Sequence, residues 1–275
     1  MSLQEDRRGW TADFENALFD RIAEHHAPHI PPAGAVETRE PATPREIAGV
    51  AEYLTRVAAH DTFIVQVVAK AIDRLFPDDI PFQQQLARQA GDDAEHAITA
   101  RERVIEWTGR DPIRTIEQYV KEHWEALGDV PYRDWAGFFA FELHYELHIQ
   151  ARLKAESRTG TVRPKVIRKS QTEHGQEANE ELTHRIYLVD YLDRKFAAAT
   201  PEEHEQWGQA LIAADDEVQR RLNPYLRLRV LTGQIAWGAD TTGSAELYDA
   251  WRREILASIV RKPSERLPVL TSLAD

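Results

Sequence analysis

The sequence predicts an all-α protein with four long central helices and additional helices before and after them. Two observations carry this prediction. Apolar residues recur at helical spacing along most of the chain, whereas alternating strand patterns are scarce. Helix-capping residues and helix-breaking Pro and Gly residues separate the apolar stretches. The 275 residues, 42% of them apolar, suffice for one domain over 1–275 with a core bundle over about 43–197.

Capping and turn signals place the first two helices. A first helix is expected over about 11–26, and the Pro-rich segment 27–44 is expected to be an ordered strap or lid. Thr43 as N-cap, Pro44 at the first helical position and Glu46 in a capping box predict a helix to about Leu75. The stretch "FPDDIP" ends that helix.

The remaining helices are predicted in the same way. Asp134 is expected to cap the helix containing "WAGFFAFELHYELHIQARL", and Ser170 with Glu173 forms a capping box that starts the next long helix. Thr200, Pro201 and Glu203 start another. Further helices are predicted over about 81–107, 115–127 and 245–260.

Composition excludes several classes of protein and of site. The formal net charge of −12 argues against nucleic-acid and anionic-membrane partners. The absence of cysteine excludes thiolate ligands and disulfides. No apolar run reaches the roughly 18 residues of a membrane span, and the first residues do not resemble a signal peptide, so a cytoplasmic location is expected.

Each of the four long helices carries charge in the stripe that should be apolar. Asp61 interrupts the stripe of the second predicted helix. The other three long helices have Asp93 with His96, Glu142 with Glu146, and Glu181 with His184. On the helix of Glu181 and His184, Glu177 and His174 lie on the same face. Removing the charge of a carboxylate from water costs on the order of several kcal/mol unless the charge is paired. A bound cation is the simplest way to compensate all of these buried carboxylates together.

Spacing supports a common site for these residues. Asp61 and Asp93 are 32 residues apart, and Glu146 and Glu181 are 35 apart. At 1.5 Å per residue, a hairpin of about 15 residues down and 15 back brings two mid-helix residues side by side. Because residues at i and i+3 share a helix face, Asp93 with His96 and Glu181 with His184 can each hold one metal ion.

These residues resemble the ligand pattern of the ferritin-like di-iron carboxylate superfamily, within its O2-activating oxygenase branch. The resemblance covers about 43–197. It implies a ferritin-like four-helix bundle with extra N- and C-terminal helices. Two departures are visible: the first pair is Asp-x-x-His instead of Glu-x-x-His, and the first-helix ligand is Asp. The implied metal ligands are Asp61, Asp93, His96, Glu146, Glu177, Glu181 and His184.

Two glutamates are candidate catalytic residues. Glu177 stands where N-oxygenases of the superfamily have an additional histidine ligand, so it is expected to contact one metal ion. For Glu142 three roles stay open: an outer acid, a ligand in place of Glu146, or a buried partner of an arginine. His144 and His148 lie on the opposite face and are expected to contact solvent or another subunit, and His174 to lie at an entrance or the surface.

The resemblance implies two iron ions, or mixed iron and manganese, with O2 as co-substrate. The expected reaction is hydroxylation or N-oxygenation of a small organic substrate, with electrons from a ferredoxin or reductase; a homodimer is possible. An apolar pocket is expected beside Trp135, Phe138 and Phe139, where Ala94, Ala97 and Ala100 leave room. The alternatives are an iron-storage or peroxidase protein and a radical-generating subunit, for which Tyr191 is on the appropriate face.

Overall fold

The structure, a computed structural model, describes the backbone of residues 10–30, 38–39, 41–158, 163–237 and 242–275. Side chains are described within the same ranges, except at 38–39, 156–157, 163–179 and 229–237. The described residues are almost entirely helical, which confirms the all-α prediction. One short parallel pairing joins strands β1, Thr38–Arg39, and β2, Arg163–Pro164.

Ten α-helices are assigned within the described residues, with a π-helical segment between the sixth and seventh. A 3-10 turn, Ser264–Arg266, follows the last of them. In chain order they are α1 Ala12–His26, α2 Pro44–Leu75, α3 Ile80–Thr108, α4 Ile113–Leu127, α5 Val130–Arg133, α6 Trp135–Glu142, α7 Ile149–Arg158, α8 Lys165–Ala198, α9 Pro201–Trp237 and α10 Ser244–Ile259.

Helix α2 starts with the predicted capping box. The Thr43 hydroxyl accepts a hydrogen bond from the Glu46 backbone N–H, and the Glu46 carboxylate accepts from the Thr43 backbone N–H. Residues 76–79 connect α2 to α3, and the two helices pack against each other as a hairpin. Helix α3 ends at Gly109, whose φ of 67° lies in the left-handed region that favours glycine.

The helix predicted after Asp134 is interrupted in its middle. Asp134 caps α6 through a hydrogen bond from the Gly137 backbone N–H, as expected. Residues Leu143–His148 then form a π-helix, in which the Ile149 backbone N–H bonds the His144 carbonyl five residues earlier. Such a turn contains one extra residue and occurs frequently at functional sites.

Two helices differ from their prediction. Helix α8 begins at Lys165 and not at Ser170, so Ser170 lies inside the helix and the predicted capping box there is wrong. Residues Lys165–Lys169 have no helix breaker after Pro164, and Pro is tolerated at the start of a helix. Helix α9 has the predicted Thr200–Glu203 capping box, but it continues to Trp237 and packs against α2 and α6.

The main apolar core joins helices from both ends of the chain. Its buried members include Phe19 of α1, Phe63 of α2, Leu192 of α8 and Trp251 of α10. The helices before and after the predicted central bundle therefore share its core. Among the described residues, no helix combines the length and the hydropathy that crossing a membrane requires.

Candidate metal centre

The predicted ligands with described side chains meet between α2, α3, the π-helical segment and α8. Asp93, Glu146 and His184 are each 1% exposed, and His96 is 5% exposed. Glu181 is partly buried, so the cluster approaches the surface between α3 and α8. The i and i+3 spacing on α3 and α8 therefore brings two carboxylate–histidine pairs together, as the sequence predicts.

His96 of α3 is directed at acids of α8. Its Nε2 lies 3.0 Å from Oε2 of Glu180, a residue that is more exposed to solvent. Its Nδ1 lies 3.4 Å from Oε1 of Glu181 and 3.8 Å from Oδ1 of Asp93. One ring nitrogen thus faces the outer acid and the other faces the buried carboxylates.

His184 of α8 makes the reciprocal arrangement with α3. Its Nε2 lies 3.1 Å from Oδ2 of Asp92. Its Nδ1 lies 3.5 Å from Oε1 of Glu146 and 3.7 Å from Oε2 of Glu181. The two oxygens of Glu181 therefore each face the Nδ1 atom of one histidine.

Several buried ligand atoms in the cluster have no hydrogen-bond partner. These atoms are both oxygens of Asp93, Oε2 of Glu146 and Nδ1 of His184. Ligand atoms of Asp93, Glu181 and His184 all lie within 4.8 Å of one another. Buried polar atoms are normally paired, so this unpaired set fits a cation bound among carboxylate and imidazole ligands.

Negative charge on the buried carboxylates of the cluster is energetically unfavourable. Burial and the neighbouring Glu146 raise the pKa of Asp93 well above its usual range. Burial and Glu181 raise the pKa of Glu146 to about 7. Asp61, 7% exposed, also raises the pKa of Asp93, which places its charge within reach of the same site.

The two histidines and Glu181 compensate part of this cost. Burial lowers the pKa of His96, but the facing Glu181 and the hydrogen bond to Glu180 outweigh it and raise the pKa to about 10. For His184 burial is likewise outweighed, by the charge of Glu146, and the pKa rises to about 12. Burial raises the pKa of Glu181, but the facing His184 and His96 rings hold it well below its usual range. Positive charge on the two histidines would thus offset part of the charge of the carboxylates.

Glu142, the last residue of α6 before the π-helical segment, lies near Glu146 and is fully buried. The Gln89 Nε2 donates hydrogen bonds to Oε2 of Glu142 at 2.9 Å and to Oε1 of Glu146 at 3.0 Å. Burial and the charge of Glu146 raise the pKa of Glu142 to about 8. Its hydrogen-bond partner is an amide, so the role as partner of an arginine is wrong, while the outer-acid and ligand roles stay predictions.

Three other sequence predictions are wrong or fall outside the described side chains. His144 and His148, expected to contact solvent or another subunit, are 2% and 0% exposed and hydrogen-bond to α9 and α10 residues. The π-helical segment is covered on that side by these two helices, a packing that a single-helix pattern cannot show. Glu177 and His174 belong to α8, but their side chains lie outside those described.

The pocket expected at Phe138 and Phe139 is not formed by these side chains. Both are 0% exposed. Their rings pack in an aromatic cluster with Phe76, Phe82 and Tyr191, in which Phe82 and Tyr191 have ring centroids 4.1 Å apart. Side chains without accessible surface cannot line an open pocket. A surface cleft of about 960 Å³ instead lies between α1, α10 and the C-terminal segment, away from the carboxylates.

Three polar residues of the cluster were not predicted: Gln89, Asp92 and Glu180. The sequence contains a signal for two of them, because "DDAEH" on α3 and "EELTH" on α8 both have two adjacent acids before the same spacing to histidine. Gln89 lies four residues before Asp93 on the same face and is 3% exposed. Its neighbour Ala90 is only half-buried.

Comparisons of the chain with protein-family models, with curated proteins and with solved structures found no match.

Proposed function

We propose that the protein is an O2-dependent non-haem di-iron oxygenase with a ferritin-like helical bundle, acting on a small organic substrate. The observation that supports this proposal best is the reciprocal arrangement of His96 and His184 around Glu181. Each Nδ1 atom faces one oxygen of that carboxylate, at 3.4 and 3.7 Å. A carboxylate placed between two histidines can bridge two metal ions.

The unpaired buried atoms support the fit of two cations. Asp93 and His96 of α3 would hold one ion, and Glu146 and His184 would hold the other, with Glu181 shared. Asp61, whose charge raises the pKa of both Asp93 and His96, is the proposed further ligand of the first set. Mixed carboxylate and imidazole ligands suit iron and manganese, which is why either metal, or both, is proposed.

Outer acids fix the histidines in the orientation that ligation requires. Asp92 and Glu180 accept a hydrogen bond from Nε2 of His184 and His96, so Nδ1 of each ring faces the carboxylates and is the atom that would ligate a metal ion. Such outer partners set the tautomer and increase the basicity of a ligand histidine. This arrangement matches a metal site better than an isolated set of ion pairs.

Glu142 is proposed to hold a proton beside the metal ions. Gln89 occupies its Oε2, which leaves the buried Oε1 as the atom that carries the proton. Iron bound at this site would supply the reduction of O2 when electrons arrive from outside. The sequence contains no flavin, NAD or iron–sulfur motif, so a ferredoxin or reductase is the proposed donor.

Metal content tests the ligand assignment. Protein reconstituted with ferrous iron without O2 should bind about two iron ions per chain, and Glu181→Ala and His96→Ala should lose most of them. His204→Ala on α9 is the matched control and should keep both ions. A folded wild-type protein that binds no iron would remove the di-iron proposal.

Isotope labelling separates the oxygenase from its alternatives. Arylamines, amino acids and aromatic acids would be incubated with the reduced, iron-loaded protein and labelled O2, and products examined by mass spectrometry. Incorporation of labelled oxygen supports the proposal. Release of ferric mineral without any organic product would indicate iron storage, and a stable tyrosyl radical signal would indicate a radical-generating subunit.

A further inference from the structure

The π-helical segment has a second buried side that faces away from the carboxylate cluster. Glu142 and Glu146 point towards α3 and α8, where Gln89 and His184 contact them. His144 and His148, between and after them, contact α9 and α10. Each side of this single turn is therefore held by different helices.

His148 is the centre of the contacts on this outer side. Its Nε2 donates a hydrogen bond of 2.7 Å to Oδ1 of Asp215 on α9. The other oxygen of Asp215 accepts from Nε of Arg252 on α10, at 2.6 Å. Arg252 in turn donates to the carbonyl of Thr271 in the C-terminal segment, at 2.8 Å. His148, Asp215 and Arg252 are all at most 2% exposed, so both partners of the carboxylate are fixed.

Two further contacts join the same turn to α10. The indole N–H of Trp251 donates a hydrogen bond of 2.7 Å to the backbone carbonyl of Leu147. The hydroxyl of Tyr248 lies 3.3 Å from Nδ1 of His144 and donates to Gln219 at 2.7 Å. A backbone carbonyl inside the π-helical turn thus has a side-chain partner from outside the turn.

A π-helical turn needs such contacts, because it is rare and intrinsically less favourable than continued α-helix. Relaxation to α-helical geometry would change the direction of every side chain in the turn, including Glu146. We propose that Asp215 is a positioning residue that, through His148, maintains this turn and thereby directs Glu146 at the carboxylate cluster. The expected effect on metal binding rests on the proposed function. The role of Asp215 in maintaining the turn does not depend on a metal ion.

Hydrogen exchange in the metal-free protein tests the maintenance of the turn. In His148→Leu, which cannot bond Asp215, amides of residues 143–149 should exchange about fivefold faster or more. In His148→Gln, whose Nε2 can still donate to Asp215, they should exchange within about twofold of wild type. Asp215→Ala, which removes the acceptor of the His148 Nε2 hydrogen bond, should resemble His148→Leu. Asp216→Asn is the matched control, because Asp216 also bonds Arg252 and Thr271 but not the turn.

Cobalt binding tests the consequence for the carboxylates, with the absorption of bound Co2+ as the signal. His148→Leu should bind Co2+ about tenfold more weakly than wild type, and His148→Gln should restore the affinity. Equal exchange in His148→Leu and wild type, or equal Co2+ affinity of these two, would overturn the inference. Equal acceleration by Asp216→Asn would also overturn it. If wild type binds no Co2+, the proposed function fails, and the exchange measurement still decides whether Asp215 maintains the turn.

Discussion

At the scale of single residues, the buried carboxylates of the cluster are unfavourable in their charged form when no cation is bound. Burial raises the pKa of Asp93, Glu142 and Glu146, and each charge raises that of its neighbours. An acid whose pKa is raised by folding holds its proton longer in the folded protein than in the unfolded chain. The free energy of unfolding therefore decreases as the pH rises from the unfolded pKa to the folded one.

Glu142→Gln should stabilise the metal-free protein at neutral pH. Glutamine keeps an acceptor for Gln89 but has no charge to desolvate. Because folding raises the pKa of Glu142 from 4.5 to about 8, the difference should be small below pH 4.5 and should grow across that interval. We expect a gain of roughly 1–3 kcal/mol at pH 7, measured by urea unfolding.

The control for this measurement is Glu102→Gln on the exposed face of α3, which should change stability by less than about 0.5 kcal/mol. A gain from Glu142→Gln that is the same at pH 4 and pH 8 would show that repacking, and not the charge, is responsible. A loss of stability at pH 8 would contradict the burial of that charge in the metal-free protein.

The inner residues of the cluster could be predicted because helical spacing alone puts them on one face. Asp93 and His96, and Glu181 and His184, follow this rule. Asp92 and Glu180 could not be assigned in that way, because each is turned by about 100° from its neighbour on its own helix. Their role arises across the interface, where each bonds the histidine of the other helix.

At the scale of elements, helix starts with a local mechanism were the most predictable feature. Both capping boxes at Thr43 and Thr200 form as the residues indicate. The capping box at Ser170 does not define a helix start, because the residues before it are equally able to be helical. The π-helical segment has no local signal at all. Its contacts come from Asp215 and Trp251, which are distant in the sequence.

Thr43→Ala should destabilise the protein by about 1 kcal/mol. The substitution removes the acceptor for the Glu46 backbone N–H at the start of α2, the helix that carries Asp61. Thr43→Ser keeps the hydroxyl and should stay close to wild type. Equal losses in the two variants, measured by denaturant unfolding, would mean that the methyl group and not the cap provides the stability.

At the scale of the whole molecule, a buried ionic group ties the N-terminal helix to the bundle. Glu15 of α1 is 1% exposed and accepts a hydrogen bond from Nε of Arg185 on α8 at 2.8 Å. Lys154 of α7 and the indole N–H of Trp10 contact the same carboxylate, at 3.1 and 2.9 Å. Arg185 follows the proposed ligand His184 directly, so this contact connects α1 to the part of α8 that forms the cluster.

Glu15→Gln should lower the free energy of unfolding by about 3 kcal/mol at pH 7, because Arg185 stays buried without its counter-ion. Burial alone would raise the pKa of Glu15, but the charges of Arg185 and Lys154 hold it below its usual value. Such a carboxylate stabilises the fold above its unfolded pKa, and this contribution is lost as the pH falls through the lower folded pKa. The difference between Glu15→Gln and wild type should therefore shrink as the pH falls below about 4.5. Glu24→Gln, near the exposed end of the same helix, should show no such pH dependence. A pH-independent difference for Glu15→Gln would mean that shape, and not charge, holds α1 against α8.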